Sequence, residues 1–162
     1  RYNYINKLRF IKMSPWIYDN QEMLDISQFP KNTFGFVYRI NHIPTDKSYI
    51  GKKVLYHNRK TKLGKKELVQ YEGLVGRKPV YKMVTKESNW EKYYGSNKSL
   101  LELVKTEPKE NFKRDILILA PTKKLLTYQE TKFLFVFRVL EEPEMYFNDN
   151  IQGKFFRKDF DI

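Results

Sequence analysis

The stretch from residue 34 to residue 52, FGFVYRINHIPTDKSYIGK, limits the possible folds more than any other part of the sequence. Large apolar or aromatic side chains occupy every second position of its first half: Phe34, Phe36, Tyr38 and Ile40. This period of two is typical of a half-buried β-strand; residues 43–48 have turn chemistry, and Tyr-Ile-Gly then starts a return strand. The pattern predicts a β-hairpin. If its loop holds an even number of residues and no bulge, Tyr38 and Tyr49 lie on the same face of the sheet.

A run of positive charge follows this hairpin. Residues 52–66 contain seven basic residues and no acid: Lys52, Lys53, Arg59, Lys60, Lys62, Lys65 and Lys66. The whole chain has a formal net charge of +12, which favours a phosphate-rich partner because each neutralised phosphate releases counterions. No basic amphipathic helix suggests a membrane surface, so nucleic acid is the preferred partner. A solvated loop is the simpler interpretation of the run itself.

Length and composition are those of one globular domain. The chain has 162 residues, of which 41% are hydrophobic and 16% aromatic, and it contains no cysteine. Disulfides, thiolate catalysis and cysteine-bound zinc are therefore excluded, and an intracellular location is favoured. The apolar runs are too short to span a membrane, and the first twelve residues are too polar for a signal peptide.

The order of patterns predicts an α+β chain. Residues 1–33 are expected to form an irregular N-terminal extension that packs on the domain, and residues 56–86 to form a basic insertion with several glycines. A helix is predicted from Lys98 to just before Pro108, a strand over 112–120, and the principal helix over 123–140.

Glu130 is the most informative single acid in the sequence. On the predicted helix it lies within about 60° of an apolar stripe, given 100° per residue. The stripe consists of Leu126, Phe133, Leu134 and Phe137. A carboxylate in such a place costs several kcal/mol unless it is paired or binds a metal. Glu130 is therefore either tied to a buried arginine, positioned at the stripe's edge with access to water, or a ligand of a hard divalent cation such as Mg²⁺.

The segments GFVYRI (35–40) and YIGKK (49–53) resemble the two signatures of the GIY-YIG nuclease superfamily. Phe36-Val37-Tyr38 takes the place of the first signature, with the usual Gly-Ile replaced. Further segments are similar to a phage-encoded, homing-type endonuclease subgroup: WEKYYGS, NFKRDIL, YQETKFLF and YFNDNI. The resemblance extends over roughly residues 14–155.

The resemblance implies a GIY-YIG-like fold, with a small central antiparallel β-sheet flanked by helices. It implies a nuclease domain over residues 34–155, followed by a C-terminal tail over 156–162. The protein would be a metal-dependent endonuclease acting on double-stranded DNA, with Mg²⁺ or Mn²⁺ as cofactor. It would function in the cytoplasm, that of the host if phage-encoded. A homodimer or an accessory DNA-recognition subunit would suit double-strand cutting.

Site residues follow from the same resemblance. Tyr38 and Tyr49 would lie at the scissile phosphate, one as general base and the other as its hydrogen-bonding partner. The remaining catalytic roles are a helper lysine, a phosphate-binding arginine, a single metal-binding carboxylate and a late asparagine, which match Lys52, Arg59, Glu130 and Asn150 (less well Asn148). DNA contacts are predicted for Lys53, His57, Lys60, Lys62, Lys65 and Lys66.

A tyrosine has a pKa near ~10 and is a weak base at neutral pH. Opposite charges within about 4–6 Å can shift a pKa by ~1–3 units. We therefore hypothesise that Lys52, Lys53 and Arg59, with the metal, lower the pKa of the catalytic tyrosine. Two other functions stay open: a catalytically inactive DNA-binding protein on the same fold, and a small basic RNA-binding protein.

Overall fold

The structure, a computed structural model, describes residues 13–160, and these divide into two units. The sheet unit comprises residues 13–55 and 89–160, and the hairpin unit comprises Tyr56–Ser88. The strands of the described chain are Trp16–Tyr18 (β1), Gln21–Met23 (β2), Gly35–His42 (β3), Lys47–Val54 (β4), Tyr56–Lys62 (β5), Tyr81–Glu87 (β6), Phe112–Ala120 (β7), Asn150–Ile151 (β8) and Phe155–Phe156 (β9). Its α-helices are Lys65–Leu68 (α1), Lys98–Thr106 (α2) and Lys123–Val136 (α3).

The predicted hairpin is confirmed as the β3–β4 pair. Its loop consists of residues 43–46, an even number, and the antiparallel register pairs Tyr38 with Gly51 and Ile40 with Tyr49. Side chains two positions apart share a face, so both tyrosines lie on the same side of the sheet. Their ring centroids are 6.2 Å apart.

The sheet unit contains a five-stranded sheet with the order β2-β1-β7-β3-β4. The α+β class is confirmed, but the sheet is mixed, whereas the sequence predicted an antiparallel one. Strand β1 pairs in parallel with β7, through Trp16 and Arg114. This strand lies in the stretch predicted as an irregular extension, where three residues are too few to show a period of two. Residues 1–12 of that extension lie outside the described part of the chain.

Each face of the sheet has its own apolar core. The first core packs against α2 and contains, among others, Trp16, Phe36, Tyr38, Ile40, Trp90, Leu100 and Phe112. The second core packs against α3 and contains Val37, Ile50, Ala120, Leu126, Leu134, Val139, Leu140 and Ile151. The β3–β7 register shifts between Val37 and Tyr38, which turns Leu117 and Ile118 towards the second core in succession.

The helix boundaries follow from capping side chains. The side chain of Asn97 accepts a hydrogen bond from the Leu100 amide at the start of α2, and α2 ends before Pro108 as predicted. Thr122 caps the start of α3 in the same way. Helix α3 ends at Val136, four residues earlier than predicted, and Arg138 has a φ of 51°. The reversal there brings Val139 and Leu140 into the second core.

The hairpin unit is formed by β5 and β6, which pair antiparallel from Tyr56 with Glu87 to Lys62 with Tyr81. Its strands and α1 occupy most of the stretch predicted as a basic insertion. Every residue of both strands is solvent-exposed. Across the described residues of the chain, 13–160, no helix is long and apolar enough to cross a membrane.

Candidate active site

A polar cavity of about 730 Å³ opens beside β4, the edge strand of the sheet. Side chains reach it from β4, from the segment before α2, from α3 and from the residues around β8. The lining side chains that can donate, accept or carry charge include Tyr49, Lys52, Ser96, Glu130, Asn150 and Gln152. Four of the six predicted catalytic residues, Tyr49, Lys52, Glu130 and Asn150, are thus brought together in one cavity.

The two tyrosines differ in their access to this cavity. Tyr49 lines it, and its hydroxyl shares a 3.1 Å hydrogen bond with the Ser96 hydroxyl. Tyr38 is only 1% exposed. Its hydroxyl lies directly over Gly51, where an added Cβ would be 2.5 Å from Oη. Gly51 therefore permits the close approach of Tyr38 to β4, and Tyr49 is the tyrosine that a bound substrate would meet.

Burial is the main influence on the pKa of both tyrosine hydroxyls, and it raises both values; that the cations together with a bound metal lower the pKa of the catalytic tyrosine stays a prediction. For Tyr38 the pKa is well above its ordinary value, first through burial and then through the neighbouring Tyr93 and Tyr49. For Tyr49 burial raises the pKa, the hydrogen bond with Ser96 opposes this increase, and Glu130 contributes to it. Both hydroxyls are therefore neutral at pH 7.

Glu130 lies on the buried side of α3, between Leu126 and Leu134, and its side chain is 15% exposed. Its Oε2 is 2.8 Å from Lys52 Nζ and accepts a 3.0 Å hydrogen bond from Gln152 Nε2. The carboxylate is therefore paired, as one sequence interpretation required, but its partner is a lysine on β4. The same lysine also donates to Thr127 Oγ1.

Asn148 and Asn150, the two asparagines near β8, make different contacts. Asn148 is buried, accepts from the amide of Ile50 at 3.0 Å and donates to its carbonyl at 2.8 Å. Its side chain thus satisfies the free edge of β4 in the manner of another strand. Asn150 lines the cavity, accepts from the Gly153 amide and donates to Asp149. Asn150 therefore has the access that its predicted role needs, and Asn148 secures the cavity wall.

Comparison with known proteins identifies a family that matches most of the chain. A family model described as "Putative endonuclease segE, GIY-YIG domain" matches residues 16–151. The chain belongs to this GIY-YIG endonuclease family. Searches of curated proteins and of solved structures returned no match.

The departure from the first GIY-YIG signature has a packing explanation. Phe36 and Val37 replace the usual Gly-Ile, and both are fully buried on opposite faces of the sheet. The Phe36 ring stacks on Phe29 with centroids 5.8 Å apart and meets Trp16 edge-on. The substitution enlarges the first core and leaves Tyr38 in its signature position.

The Lys53 side chain makes its polar contacts within the sheet unit. It points to the opposite face from Lys52, and its Nζ donates to Asn89 at 2.7 Å and lies 4.0 Å from the centre of the Tyr93 ring. Burial lowers the pKa of this ammonium group. The ammonium group is thus engaged within the sheet unit and only 9% of the residue is exposed, and its predicted DNA contact stays a prediction.

The other predicted DNA-binding residues of this GIY-YIG chain lie in the hairpin unit. His57, Lys60 and Lys62 are on β5, Lys65 and Lys66 are on α1, and all are exposed; Arg59, predicted as a catalytic residue, is also exposed on β5. Arg59 lies in extended conformation at the centre of β5. Its role as the phosphate-binding arginine of the family remains a prediction.

Several supporting residues were missed by sequence reasoning. Arg114 is 1% exposed and donates to the carbonyls of Ser14, Glu91 and Tyr93. It thereby fixes the segment whose Tyr93 ring lies edge-on to Tyr38, with centroids 5.9 Å apart. The sequence did contain one signal of this segment, the glycine of the Tyr-Tyr-Gly-Ser motif at 93–96. In the structure Gly95 has a φ of +85°, which favours glycine, and a Cβ there would be 3.0 Å from the Tyr49 ring.

Proposed function

We propose that this chain is an endonuclease that hydrolyses phosphodiester bonds of double-stranded DNA with a divalent cation, and that Tyr49 activates the attacking water. The observation that carries the proposal is the meeting of Tyr49, Lys52 and Glu130 in one polar cavity of a GIY-YIG domain. A hydroxyl, an ammonium and a carboxylate are the groups that this hydrolysis needs: a proton acceptor, positive charge for the phosphoryl oxygens, and an anchor for a cation.

Tyr49 is the better general base of the two tyrosines because it lines the cavity while Tyr38 is buried. In the reactive form its phenolate takes a proton from water as the water oxygen bonds to phosphorus. The bond from phosphorus to the leaving oxygen breaks, and that oxygen takes a proton from solvent. The raised pKa makes the phenolate scarce at neutral pH, so the reaction is expected to be faster in alkaline solution.

Lys52 and Glu130 supply the charges of the site. The Lys52 ammonium is 2.8 Å from Glu130 in the absence of substrate, and a phosphate entering the cavity offers it a second anionic partner. Charge-assisted hydrogen bonds to phosphate oxygens are stronger than neutral ones. The Tyr38 ring packs beside the Tyr49 ring, with centroids 6.2 Å apart, and a Cβ on Gly51 would contact both rings.

The cavity's donor set fits a sparsely held Mg²⁺ or Mn²⁺. Among the described residues, no three His, Asp or Glu side chains cluster as a metal site. The cavity does offer the Glu130 and Asp149 carboxylates and the Asn150 carboxamide, oxygen donors that a hard cation accepts together with water. Glu130 would hold the ion, which when bound would neutralise charge on the phosphoryl and leaving oxygens.

The test is nicking of a supercoiled plasmid by the full chain with Mg²⁺ or Mn²⁺, with EDTA as the metal-free arm. Tyr49→Phe and Glu130→Gln each remove one group from the cavity and are expected to lower the cleavage rate by at least ~100-fold. Two matched controls make the same chemical changes on exposed helix surfaces: Tyr128→Phe on α3 and Glu102→Gln on α2. Both are expected to cut like the wild type.

Cleavage at the full rate by both cavity variants would refute the site assignment. Salt-dependent duplex binding with no cleavage under any metal condition would favour the inactive DNA-binding alternative. Preference for a structured RNA over duplex DNA in competition would favour the RNA-binding alternative.

A further inference from the structure

The hairpin unit presents two chemically different faces. The β5–β6 register pairs Arg59 with Val84 at the centre of the two strands. Side chains that alternate along each strand share a face, so this face also carries His57, Thr61, Lys82 and Lys86. The opposite face carries Tyr56, Asn58, Lys60, Lys62, Tyr81, Met83, Thr85 and Glu87.

The charge of this unit is concentrated and exposed. Its 33 residues contain nine Lys or Arg and three Glu, so it has a net charge of +6 at neutral pH, half of the chain's +12. The Lys82 ammonium forms an ion pair with Glu67 of α1, whereas both strands are exposed along their whole length. Apolar side chains are exposed between the cations: Tyr81 is 57% exposed and Met83 60%. This combination indicates a surface that meets an anionic partner.

The dimensions of a two-stranded ribbon decide which anionic partner fits. Strands of seven residues, at about 3.4 Å per residue, extend roughly 24 Å, and paired strands are separated by about 4.8 Å. The major groove of duplex DNA, about 12 Å wide, admits a two-stranded β-ribbon. The central pair suits base edges, because arginine binds guanine bidentately and an apolar side chain contacts the thymine methyl group.

We propose that the β5–β6 ribbon enters the major groove of duplex DNA with its Arg59–Val84 face towards the bases. Arg59 and Val84 read base edges, and the flanking cations on the ribbon contact phosphates. This inference deepens the proposed endonuclease function, since it names the element that would select the cleavage sequence. It also moves Arg59 from the phosphate-binding role implied by the family resemblance to a reading role.

The test measures binding in EDTA, so that it does not depend on cleavage. The full chain selects sequences from a pool of random 30-base-pair duplexes, and the affinity and salt dependence of the selected duplex are then determined. Arg59→Gln with Lys86→Gln alters the reading face. Lys60→Gln with Lys62→Gln is the matched variant, because it removes the same charge from the opposite face.

The two variants are expected to fail differently. The Arg59/Lys86 variant should lose about 5–150-fold of the preference for the selected sequence, since one bidentate base contact gives ~1–3 kcal/mol of discrimination. The Lys60/Lys62 variant should keep that preference and bind all duplexes more weakly, with a salt slope lower by up to ~0.9 per lost phosphate contact. A triple change of Lys31, Lys105 and Lys132 to Gln, on the exposed surface of the sheet unit, should not alter the preference.

Three outcomes would overturn the proposal. One is a wild-type chain with no sequence preference, or a preference that survives the Arg59/Lys86 change. Another is an Arg59→Gln chain that binds normally but cleaves more slowly at saturating DNA, which would return Arg59 to the cleavage step. The third is a ribbon that joins two copies of the chain, seen as a dimer in sedimentation that the Arg59/Lys86 change dissociates while DNA affinity stays intact.

A variant without the ribbon provides an independent check. Tyr56 and Glu87 are directly paired, so residues 57–86 can be replaced by Asn-Gly as a two-residue turn. Circular dichroism and thermal unfolding report whether the sheet unit still folds. A folded variant is expected to lose selection from the pool, and retained selection would contradict the inference.

Discussion

The two units use the same basic side chains in opposite ways. In the sheet unit the informative cations have partners within the unit: Lys52 pairs with Glu130, Lys53 donates to Asn89, and Arg114 donates to backbone carbonyls. In the hairpin unit most of the cations lie on fully exposed strands or on α1. Net charge alone therefore does not locate a binding surface. The contacts of each cation within the protein must be known as well: Arg114 is buried among backbone carbonyls, whereas Lys60 and Lys62 are exposed to a partner.

The largest difference in cleavage rate between the two units is expected when one glycine in each is replaced by alanine. In Gly51→Ala the new Cβ would lie 2.5 Å from Tyr38 Oη and 2.7 Å from Cζ, so the ring or β4 must move. We expect cleavage to fall by ~100-fold or more, because the cavity wall carries Tyr49. Gly64→Ala in the hairpin unit would meet only Glu67 Oε2 at 3.6 Å and should leave cleavage unchanged. Equal rates for the two variants in the nicking assay would contradict the proposed site.

The two units should also differ in how much an arginine contributes to the free energy of unfolding, because Arg114 is buried and Arg77 is exposed. Arg114→Leu removes the charged donor from the part-buried carbonyls of Ser14, Glu91 and Tyr93, and polar groups left unsatisfied away from water cost about 1–3 kcal/mol each. We expect a loss of about 3 kcal/mol in the free energy of unfolding, measured by urea denaturation. Arg77→Leu in the hairpin unit, at an exposed position, should change it by less than about 0.5 kcal/mol. A small effect of Arg114→Leu would mean that water replaces the guanidinium.

The pH dependence of cleavage separates catalysis from binding. Since the pKa of Tyr49 is raised, its phenolate fraction grows about tenfold per pH unit throughout the range below that pKa. The cleavage rate at saturating DNA should therefore rise from pH 7 to beyond pH 9, with binding measured in parallel as the control. A plateau below pH 8 would exclude Tyr49 as a base with the raised pKa.

The same shift has a consequence for folding stability. A raised folded-state pKa means that the folded chain holds the tyrosine protons more tightly than the unfolded chain does. The corresponding stabilisation is complete below the unfolded tyrosine value of ~10 and is lost as pH rises above it. Thermal unfolding should therefore shift to lower temperature above pH 10, and less so for Tyr38→Phe.

The smallest effect is expected from single hydrogen bonds. Ser96→Ala removes the 3.1 Å partner of the Tyr49 hydroxyl, and a bond of this kind contributes about 0.5–1.5 kcal/mol, or roughly 2–13-fold in rate. Thr85→Ala removes a 2.8 Å hydrogen bond to Asn58 in the hairpin unit and should leave the cleavage rate unchanged. The comparison is made at saturating DNA. An identical response to both changes would remove Ser96 from the site.

Local patterns predicted the central part of the fold correctly. The alternation around Tyr38, the boundaries of α2 and the strand at 112–120 were all readable, because each depends on a few neighbouring residues. The parallel pairing of β1 with β7 was not, because it joins residues about a hundred positions apart. The early end of α3 depends on the burial of Val139 and Leu140, which periodicity does not report.

Sequence patterns named four residues that line the cavity, but they did not show how those residues are paired or buried. Glu130 stood out because an acid in an apolar stripe needs a partner, and that partner proved to be Lys52. The burial that raises the pKa of both tyrosines was not foreseen, since sequence shows how many cations are near in the chain but not how deeply the hydroxyls are buried. Ser96 and Gln152 reach the site only through the fold, so no spacing rule could have found them.

Strand β7 lies between β1 and β3 in the sheet, although it follows both in the chain. A chain growing on the ribosome therefore cannot close its sheet until residue 120 has emerged, and earlier strands can form only hairpins with their immediate neighbours. Contacts of such large sequence separation make folding slow. We expect both cores of a newly made chain to stay open until residue 120 has emerged, with apolar side chains of β3 and β4 exposed to solvent in the meantime.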